Sequence, residues 1–420
     1  MYDIVVIGAG ASGLIAAGRA AELGAKVLLL EKNDRPGRKL LITGKGRCNI
    51  TNQAATSELI KQVHPNGRFL KHAFSVFSPD DMIGMLSRFG LECILERGGR
   101  YFPESNRSVD VLNALLEYNR AGGVETWYSC RADRLLLTNN TIEGLSIQRG
   151  SKLSKVTSPS VIVSTGGQSY PATGSTGDGY KLARACGHKI IPVRPALVPL
   201  ETEGDIAQRM QGLSLKNVKA SVWANGRKLA DEFGEMLFTH FGISGPIILS
   251  LSRLVVDEML SGKQPTIVVD LKPALDEKQL DKRLLRDANE QGKKKMANLF
   301  RQWLPQTMIP VFLDITGVDP EKEAHQLTAA ERKKVLFQMK NLAFEITGYR
   351  PFKEAIITAG GINTQEVDSK TLQSKLVKGL YFAGEILDLD ANTGGYNLQI
   401  AWSTGWLAGE SAVKQGASLS

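Results

Sequence analysis

Three glycines and one acid near the N-terminus have the types and the spacing of a dinucleotide-binding site. Gly8, Gly10 and Gly13 form a G-x-G-x-x-G pattern, and Glu31 follows Gly13 by 18 residues. The first glycine permits a tight turn, the second lets backbone approach a pyrophosphate, and the third lets a helix pack closely on a strand. Glu31 can accept hydrogen bonds from both ribose hydroxyls and would repel a 2′-phosphate, so NADP is not expected here. The predicted nucleotide contacts are Gly8, Gly10, Ala11, Ser12, Gly13, Glu31 and Lys32.

The segments around this pattern are those that would position it. Residues 3–7 are a short, apolar, β-branched run typical of a buried parallel strand. Residues 14–23 predict a helix that Gly24 ends, and residues 26–31 predict the next strand. This strand–turn–helix–strand order favours dinucleotide binding over an empty glycine-rich turn, but it does not distinguish FAD from NAD.

A second glycine-rich segment, residues 37–52, follows the Glu31 strand directly. It combines glycines, cations and amide or hydroxyl donors, which suits a loop lying along a pyrophosphate and the polar edge of a ring. The alternative is a basic surface loop. Cys48 has no partner cysteine nearby, so a packing or ligand-lining role is favoured over a redox thiol. The candidates in this segment are Arg38, Lys39, Gly46, Arg47, Cys48 and Asn49.

Two later strands also end in glycine turns. One is residues 161–167, and the other is residues 379–385, after which a turn at Gly394 and Gly395 enters a helix through about residue 413. One NAD molecule has no obvious need for two helix N-termini from opposite chain ends, whereas an extended FAD does. Glu385 would meet the ribityl chain, and the N–H groups after Gly395 would stabilise negative charge at the N1–C2=O edge of the flavin. The candidates are Thr165, Gly166, Gly167, Gly384, Glu385, Gly395, Asn397 and Leu398.

The middle of the chain has a different pattern. Residues 124–130 and 141–148 predict a β-meander, and the proline-rich stretch 187–199 marks a boundary. Short alternating segments follow, and residues 276–345 are charged and predict helices. The sequence therefore predicts an α/β fold in which a Rossmann-like FAD-binding domain, with a parallel sheet and a β-meander, is interrupted by an inserted α+β domain. The predicted segments are 1–192 and 351–420 for the FAD-binding domain and 193–350 for the insert, which would shape a substrate site.

Composition excludes several classes of protein. In 420 residues, 42% are hydrophobic and 23% are charged, which argues against a disordered or fibrous chain. Four widely spaced cysteines argue against a disulfide scaffold or a zinc ribbon and fit a reducing cytoplasm, and the five histidines predict no metal site. There is no apolar run long enough to predict a membrane span. The net charge of +9 permits nucleic-acid binding, but without a basic–aromatic stripe nucleic acid is not the expected partner. The oligomeric state is left open.

Three longer motifs resemble one bacterial family. Residues 43–49 (TGKGRCN), 238–246 (FTHFGISGP) and 392–399 (NTGGYNLQ) are similar to those of YhiN-type flavoproteins, usually labelled NAD(FAD)-utilising dehydrogenases and including BaiN-like dehydro-bile-acid reductases. The group is part of the glutathione-reductase and fumarate-reductase type of FAD-binding proteins. The resemblance covers the whole chain and implies a noncovalent FAD. It also implies that backbone at Cys130, Arg131 and Ala132 contacts adenine, and that the reaction is reduction of a carbon–carbon double bond conjugated to a carbonyl.

These observations predict an FAD-dependent oxidoreductase that passes a hydride through flavin N5 to or from a small organic substrate. No second G-x-G-x-x-G follows a strand, so a dedicated second nucleotide domain is not expected. The electron donor is then either NAD(P)H bound transiently or an unrelated donor. His240, Tyr101 and Tyr396 are the candidates for moving the proton. Two alternatives stay open: an RNA-directed, tRNA-modifying flavoprotein, and a flavin-binding regulator without turnover.

Overall fold

The computed structural model describes residues 1–417 and divides into two compact units. Unit 1 is Met1–Pro195 together with the chain from Ile356 onward, and unit 2 is Ala196–Ala355. These boundaries lie three and five residues after the sequence-based ones. The assignment of unit 2 as a substrate domain stays a prediction.

The strands are, in chain order, β1 (Ile4–Ile7), β2 (Val27–Leu30), β3 (Thr51–Asn52), β4 (Val63–His64), β5 (Cys93–Glu96), β6 (Arg100–Pro103), β7 (Glu125–Trp127), β8 (Cys130–Thr138), β9 (Thr141–Arg149), β10 (Lys152–Thr157), β11 (Ser160–Val163), β12 (Ile190–Ala196), β13 (Leu200–Thr202), β14 (Ser214–Ala224), β15 (Arg227–Thr239), β16 (Gly242–Ser244), β17 (Thr266–Asp270), β18 (Leu342–Tyr349), β19 (Ile357–Ile362), β20 (Leu380–Phe382) and β21 (Asp390–Ala391). The α-helices are α1 (Ala11–Glu22), α2 (Arg38–Ile42), α3 (Thr56–Lys61), α4 (Lys71–Val76), α5 (Pro79–Arg88), α6 (Ser108–Ala121), α7 (Asp178–Ala185), α8 (Ile206–Arg209), α9 (Pro246–Leu260), α10 (Glu277–Glu290), α11 (Met296–Leu299), α12 (Ile309–Thr316), α13 (Ala329–Lys340) and α14 (Tyr396–Ala417).

A five-stranded parallel sheet forms the centre of unit 1. Its strand order is β20-β11-β1-β2-β7. The strands β1, β2 and β11 are buried at every residue, as their continuous apolar sequences predict. Because all four strand pairs are parallel, the carboxyl ends of the strands meet at one edge of the sheet. In a doubly wound fold that edge is where ligands bind.

An antiparallel meander of order β10-β9-β8 accompanies this sheet. The turn between β8 and β9 consists of Asn139 and Asn140, both with positive φ (50° and 56°), which suits a two-residue hairpin turn. The predicted fold class, a Rossmann-like α/β domain with a parallel sheet and a meander, is confirmed.

Unit 2 is built on a closed barrel of order β13-β16-β15-β14-β17-β18. Asn225 and Gly226 make the two-residue hairpin turn between β14 and β15. One difference from the sequence-based expectation is β18, because its first four residues, 342–345, fell within the stretch predicted to be helical. The segment 342–349 alternates buried and exposed positions and pairs with β17 and β13, so its period of two outweighs the helical, charged composition before it.

Candidate functional site

A large cleft opens at the carboxyl edge of the parallel sheet in unit 1. It encloses about 1380 Å³, counting the part open to solvent. Its lining combines the β1–α1 turn, the segment after β2, the start of β8 and the first turns of α14, so one ligand there could contact all four. Sixteen predicted cofactor-binding residues line it: Gly8, Gly10, Ala11, Ser12, Glu31, Lys32, Arg38, Lys39, Cys130, Arg131, Ala132, Thr165, Gly166, Glu385, Asn397 and Leu398.

The three motif glycines meet different steric demands. Gly8 has φ +102°, and a Cβ there would lie 2.8 Å from the Ser164 carbonyl oxygen. A Cβ on Gly13 would lie 1.8 Å from the Gly8 carbonyl oxygen, so this glycine permits the close packing of α1 on the turn. Gly10 has φ −90°, and a Cβ there would meet nothing within 4 Å. No protein contact therefore requires glycine at position 10, and the open cradle fits a ligand that approaches the backbone.

Glu31 is 8% exposed and is held in one orientation at the end of β2. Its Oε2 accepts the Ala9 N–H (3.0 Å), and its Oε1 accepts the backbone N–H and the side-chain amide of Asn33 (2.8 and 2.7 Å). Arg38 in turn donates to the Asn33 side-chain oxygen (3.1 Å). The acid is thus fixed at the cleft wall by both neighbouring turns.

A second carboxylate, Glu385, follows β20 on another part of the cleft wall. Lys39 Nζ lies 2.6 Å from Glu385 Oε2, and Oε1 accepts the Ser169 hydroxyl (2.8 Å) and the Thr358 N–H (3.0 Å). A Cβ on Gly167 would lie 2.9 Å from Glu385 Oε1, so the glycine turn after β11 makes room for this carboxylate. Two glycine-rich segments far apart in the sequence therefore meet at one ion pair.

A third charged cluster joins the Glu31 turn to α7. Lys32 Nζ contacts Asp178 Oδ2 (2.8 Å) and the Thr176 hydroxyl (2.5 Å), and Arg131 approaches Asp178 Oδ1 (3.4 Å). Burial acts to raise the pKa of Asp178, but the Lys32 and Arg131 charges outweigh it and hold that pKa below its ordinary value. The carboxylate stays ionised at neutral pH and fixes Lys32 and Arg131 at the cleft wall.

The first turn of α14 lines the cleft with Asn397 and Leu398. The Asn397 side chain holds the preceding loop, because it accepts the Ala391 N–H (2.8 Å) and donates to the Ala391 carbonyl (2.7 Å). With the Asn49 amide oxygen turned toward Gly395, it accepts the Gly395 N–H at 3.0 Å. The first backbone N–H groups of a helix have no intrahelical acceptor. In α14 these are the N–H groups of residues 396–398, and they lie at the cleft.

The other predicted cofactor-binding residues lie outside the cleft lining. Gly13 packs beneath the motif turn, and Cys48 is fully buried in the core, where burial raises the pKa of its thiol. A Cβ on Gly384 would lie 2.5 Å from the Ser12 hydroxyl oxygen, so that glycine lets the end of β20 approach α1. The complete set outside the lining is Gly13, Gly46, Arg47, Cys48, Asn49, Gly167, Gly384 and Gly395.

The structure also places in the lining residues that were not predicted as cofactor contacts. They include Asn33, Gly37, Thr43, Ser164, Ser175 and Asp178. Asp178 could have been found from its place in the T-G-D-G motif (residues 176–179) that opens α7, and Asn33 from its position two residues after Glu31, the predicted ribose acceptor. Ser164 carries no such signal, because only the folded chain brings its hydroxyl to within 2.9 Å of the Ile7 carbonyl oxygen.

The three candidates for moving a proton lie on different elements. Tyr396 is the first residue of α14, and burial, with a contribution from Glu58, raises its pKa above the ordinary value. Tyr101 is half-buried on β6, paired with Thr51 of β3. His240 is an exposed residue of unit 2 whose ring lies edge-on to Phe241 (centroids 4.9 Å apart).

Residues 1–417 give no support for a metal site or for a membrane-spanning helix. No group of three or more His, Cys, Asp or Glu side chains there is placed to hold a metal ion. In the same range, none of the helices combines the length and the apolar character that crossing a membrane requires.

Comparison with known proteins assigns the chain to a family. The model of the HI0933-like protein Rossmann domain matches residues 2–411. A 3-dehydro-bile acid delta(4,6)-reductase of Clostridium scindens is 31% identical over 417 residues, covering 99% of this chain and 100% of the relative. A ribosomal RNA dihydrouridine synthase of Escherichia coli is 28% identical over 414 residues, covering 98% of each chain.

The solved structures agree on the fold. The 3-ketosteroid delta1-dehydrogenase of Sterolibacterium denitrificans superposes with a TM-score of 0.54 at 14% identity, covering 99% of each chain. The family and the class of enzyme predicted from the sequence are confirmed, so the alternative of a regulator without turnover is not retained. The protein is an FAD-dependent oxidoreductase, and its chain belongs to the HI0933-like family.

Proposed function

We propose that this enzyme reduces a carbon–carbon double bond conjugated to a carbonyl group. The structural observation that carries the proposal is that α1 and α14, from opposite ends of the chain, begin at the same cleft. Two relatives support the reaction type. A 3-dehydro bile acid with a 4,6-diene is an unsaturated ketone, and forming dihydrouridine saturates a uracil double bond conjugated to a ring carbonyl.

The chain's residues fit FAD in an extended pose. The start of α1, with Gly10 open to the cleft, would hold the pyrophosphate, and Glu31 would accept the ribose hydroxyls. The ion pair of Lys39 and Glu385 would orient the ribityl chain, and the adenine would lie along the backbone of residues 130–132. Bound there, FAD supplies a hydride donor at N5, and the backbone donors at the start of α14 would stabilise negative charge at the far edge of the ring.

Reduction of an unsaturated carbonyl also needs a proton at the carbon next to the carbonyl. Tyr396 is our leading donor, because it is the first residue of α14, the helix whose first turn lines the cleft. Tyr101 and His240 are the other candidates. Replacing the true donor should slow substrate-dependent reoxidation about 10²–10⁴-fold while reduction by NADH or NADPH is unchanged. Comparing Tyr396→Phe, Tyr101→Phe and His240→Gln in both half-reactions identifies the residue.

The reaction can be tested on the purified holoprotein. Anaerobic titration with NADH and with NADPH measures which nicotinamide bleaches the flavin. The reduced protein is then mixed with a 3-oxo-4-ene cholenoic acid or with its saturated 3-oxo counterpart. We expect rapid reoxidation by the unsaturated acid alone, with deuterium from labelled nicotinamide at the β-carbon. If both acids reoxidise the flavin slowly and at the same rate, and RNA does not reoxidise it either, the proposed reaction is contradicted.

A uracil of RNA is the second candidate substrate. It is supported by the two relatives named ribosomal RNA dihydrouridine synthase, from Escherichia coli and Haemophilus influenzae, and by the net charge of +9. The test replaces the steroid with an unmodified ribosomal RNA transcript and measures dihydrouridine by mass spectrometry. Reoxidation by the transcript with dihydrouridine formed, and not by the steroid, would identify RNA as the substrate.

A further inference from the structure

A cationic hairpin turn borders the end of the cleft where α14 begins. The strands β5 and β6 pair with Glu96 opposite Arg100, and the turn between them runs through Gly98 and Gly99. Both glycines have positive φ (81° and 72°), which makes the turn tight. Arg97 and Arg100 are exposed, and Arg100 Nε donates to the Arg97 carbonyl at 3.0 Å. The two guanidinium groups are thus presented by one short turn.

Asn52 ties this turn to the cleft. The residue is 4% exposed, and its Nδ2 donates to the carbonyls of Gly98 and Gly394, both at 3.0 Å. The Gln53 N–H also donates to the Gly99 carbonyl at 2.7 Å. Gly394 lies just before α14, whose first turn lines the cleft. The position of the two arginines relative to the cleft is therefore set by buried hydrogen bonds rather than by a loose loop.

A third cation, Lys45, lies on the loop beside this turn. The loop starts at Thr43, which lines the cleft, and a Cβ on Gly44 would lie 3.8 Å from the Phe102 ring of β6. Arg47 of the same loop is paired with Glu96. By contrast, within residues 1–417 no ion pair joins Lys45, Arg97 or Arg100 to a carboxylate. Three exposed cations without a carboxylate partner among these residues therefore lie on two neighbouring turns, one joined to the segment before α14 and the other continuous with the cleft lining at Thr43.

We propose that Arg97 and Arg100 of this turn, together with Lys45 of the neighbouring loop, bind an anionic group of the substrate. The inference rests on the proposed function, because it assumes that the reacting double bond lies at the start of α14. Guanidinium groups bind carboxylates and phosphates alike through paired hydrogen bonds, so the shared ligand chemistry is an oxyanion. A carboxylate on a small unsaturated ketone and a phosphodiester of RNA are its two sources, and the experiment separates them.

The test compares charged and neutral probes on the FAD-loaded protein. The small-molecule pair is 3-oxo-4-ene cholenoic acid and its methyl ester, which differ only in the negative charge, with affinity measured from quenching of flavin fluorescence. The RNA probe is fluorescein-labelled oligouridylate, with affinity measured by anisotropy over a salt series. The variants are Arg97→Ala, Arg100→Ala and their double variant, and Lys152→Ala, on an exposed site of β10, is the matched control.

If the carboxylate is the source, each arginine variant should weaken binding of the acid about tenfold and leave the ester unchanged. If the phosphodiester is the source, the double variant should weaken oligouridylate binding and lower the slope of log affinity against log salt by about 1.4. In either case Arg97→Lys with Arg100→Lys should restore part of the affinity that the double alanine variant loses, because lysine keeps the charge but not the paired hydrogen bonds. Lys152→Ala should resemble the wild type. The restoration distinguishes a charge effect from damage to the hairpin.

The proposal is overturned if the arginine variants bind the acid and the RNA as tightly as Lys152→Ala does. It is also overturned if those variants lose affinity equally for the acid and the ester, or if neither charged probe binds the wild type at low salt. These outcomes differ from failure of the proposed reaction. Rapid reoxidation of reduced protein by the neutral ester would uphold double-bond reduction even where the anion site fails.

Discussion

Gly10 and Gly13 have different roles in one short motif: Gly10 leaves room for a ligand, and Gly13 permits close packing of α1. Single substitutions should separate these roles. Gly10→Ala places its Cβ in open space at an ordinary φ, so the apo-protein should lose no more than about 1 kcal/mol of stability, the cost of alanine in place of glycine at the N-cap of α1. FAD affinity should fall at least tenfold, because the methyl group occupies the approach to the pyrophosphate. Thermal unfolding of apo-protein and fluorescence titration with FAD measure the two effects.

Gly13→Ala is the matched variant with the opposite expectation. Its Cβ would lie 1.8 Å from a backbone oxygen, so α1 must move and the apo-protein should lose at least about 1–3 kcal/mol of stability. If Gly10→Ala instead destabilised the apo-protein as much as Gly13→Ala and left FAD binding unchanged, the pyrophosphate site would be misplaced.

Glu31 is tested by removing its carboxylate. Glu31→Ala deletes the acceptor of the Ala9 and Asn33 N–H groups as well as the proposed ribose contact, so FAD retention through gel filtration should fall. Glu31→Gln keeps one acceptor oxygen and should retain more FAD than Glu31→Ala. Unchanged retention in both variants would contradict the ribose assignment.

Among the elements, α1 and α14 cross at two glycines of α14. A Cβ on Gly405 would lie 2.3 Å from the Ser12 carbonyl oxygen, and one on Gly409 would lie 2.5 Å from the Ala16 carbonyl oxygen. Gly409→Ala should therefore separate the helices, with a loss of about 1–3 kcal/mol. Because both helices begin at the cleft, FAD affinity should fall as well. Thermal unfolding and FAD titration measure both effects, and stability equal to wild type would show that the crossing tolerates a methyl group.

His188, between α7 and β12, should make the stability of the folded protein depend on pH. Its ring is buried, with Nδ1 3.2 Å from Glu366 and Nε2 2.7 Å from the Ser374 hydroxyl. Burial lowers its pKa from 6.5, and Glu366 only partly offsets this. The unfolded chain therefore binds the proton at a higher pH than the folded chain, so stability should fall as pH decreases below about 6.5. His188→Gln should flatten Tm between about pH 7 and pH 5, whereas the exposed His72→Gln should not. An equal slope in both variants would assign it to other groups.

The elements also show what sequence patterns can predict. The apolar runs of β1, β2 and β11 and the glycine turns after them were recognisable because their signals are local, and they led to most of the cleft wall. The contact of Gly405 and Gly409 with α1 was not, since it depends on two helices from opposite chain ends meeting. The buried bridge of Asn52 between two turns likewise exists only in the folded chain. These features depend on contacts between segments far apart in the sequence rather than on local propensity, so sequence patterns could not predict them.

For the whole molecule, the cleft is built from unit 1 alone, although unit 1 is discontinuous in sequence. The strands that lead out of and back into it, β12 and β19, pair with each other, and a Cβ on Gly360 would lie 2.3 Å from the Pro192 carbonyl oxygen. A variant with residues 196–355 replaced by a short Gly-Ser linker should therefore fold and still bind FAD. Circular dichroism and the flavin absorbance measure this. A folded variant without FAD affinity would show that unit 2 contributes to the cofactor site.

The order in which a ribosome releases the chain has a consequence for this architecture. The strand β20 and the helix α14 are synthesised after unit 2, yet they complete the parallel sheet and one end of the cleft. Unit 2 is continuous and can close its barrel before they are made. The β1–α1 turn must wait with an open sheet edge at β11 until residues 380–417 have emerged. Before that point the nascent protein would be unable to retain its flavin, so cofactor loading would follow the synthesis of α14.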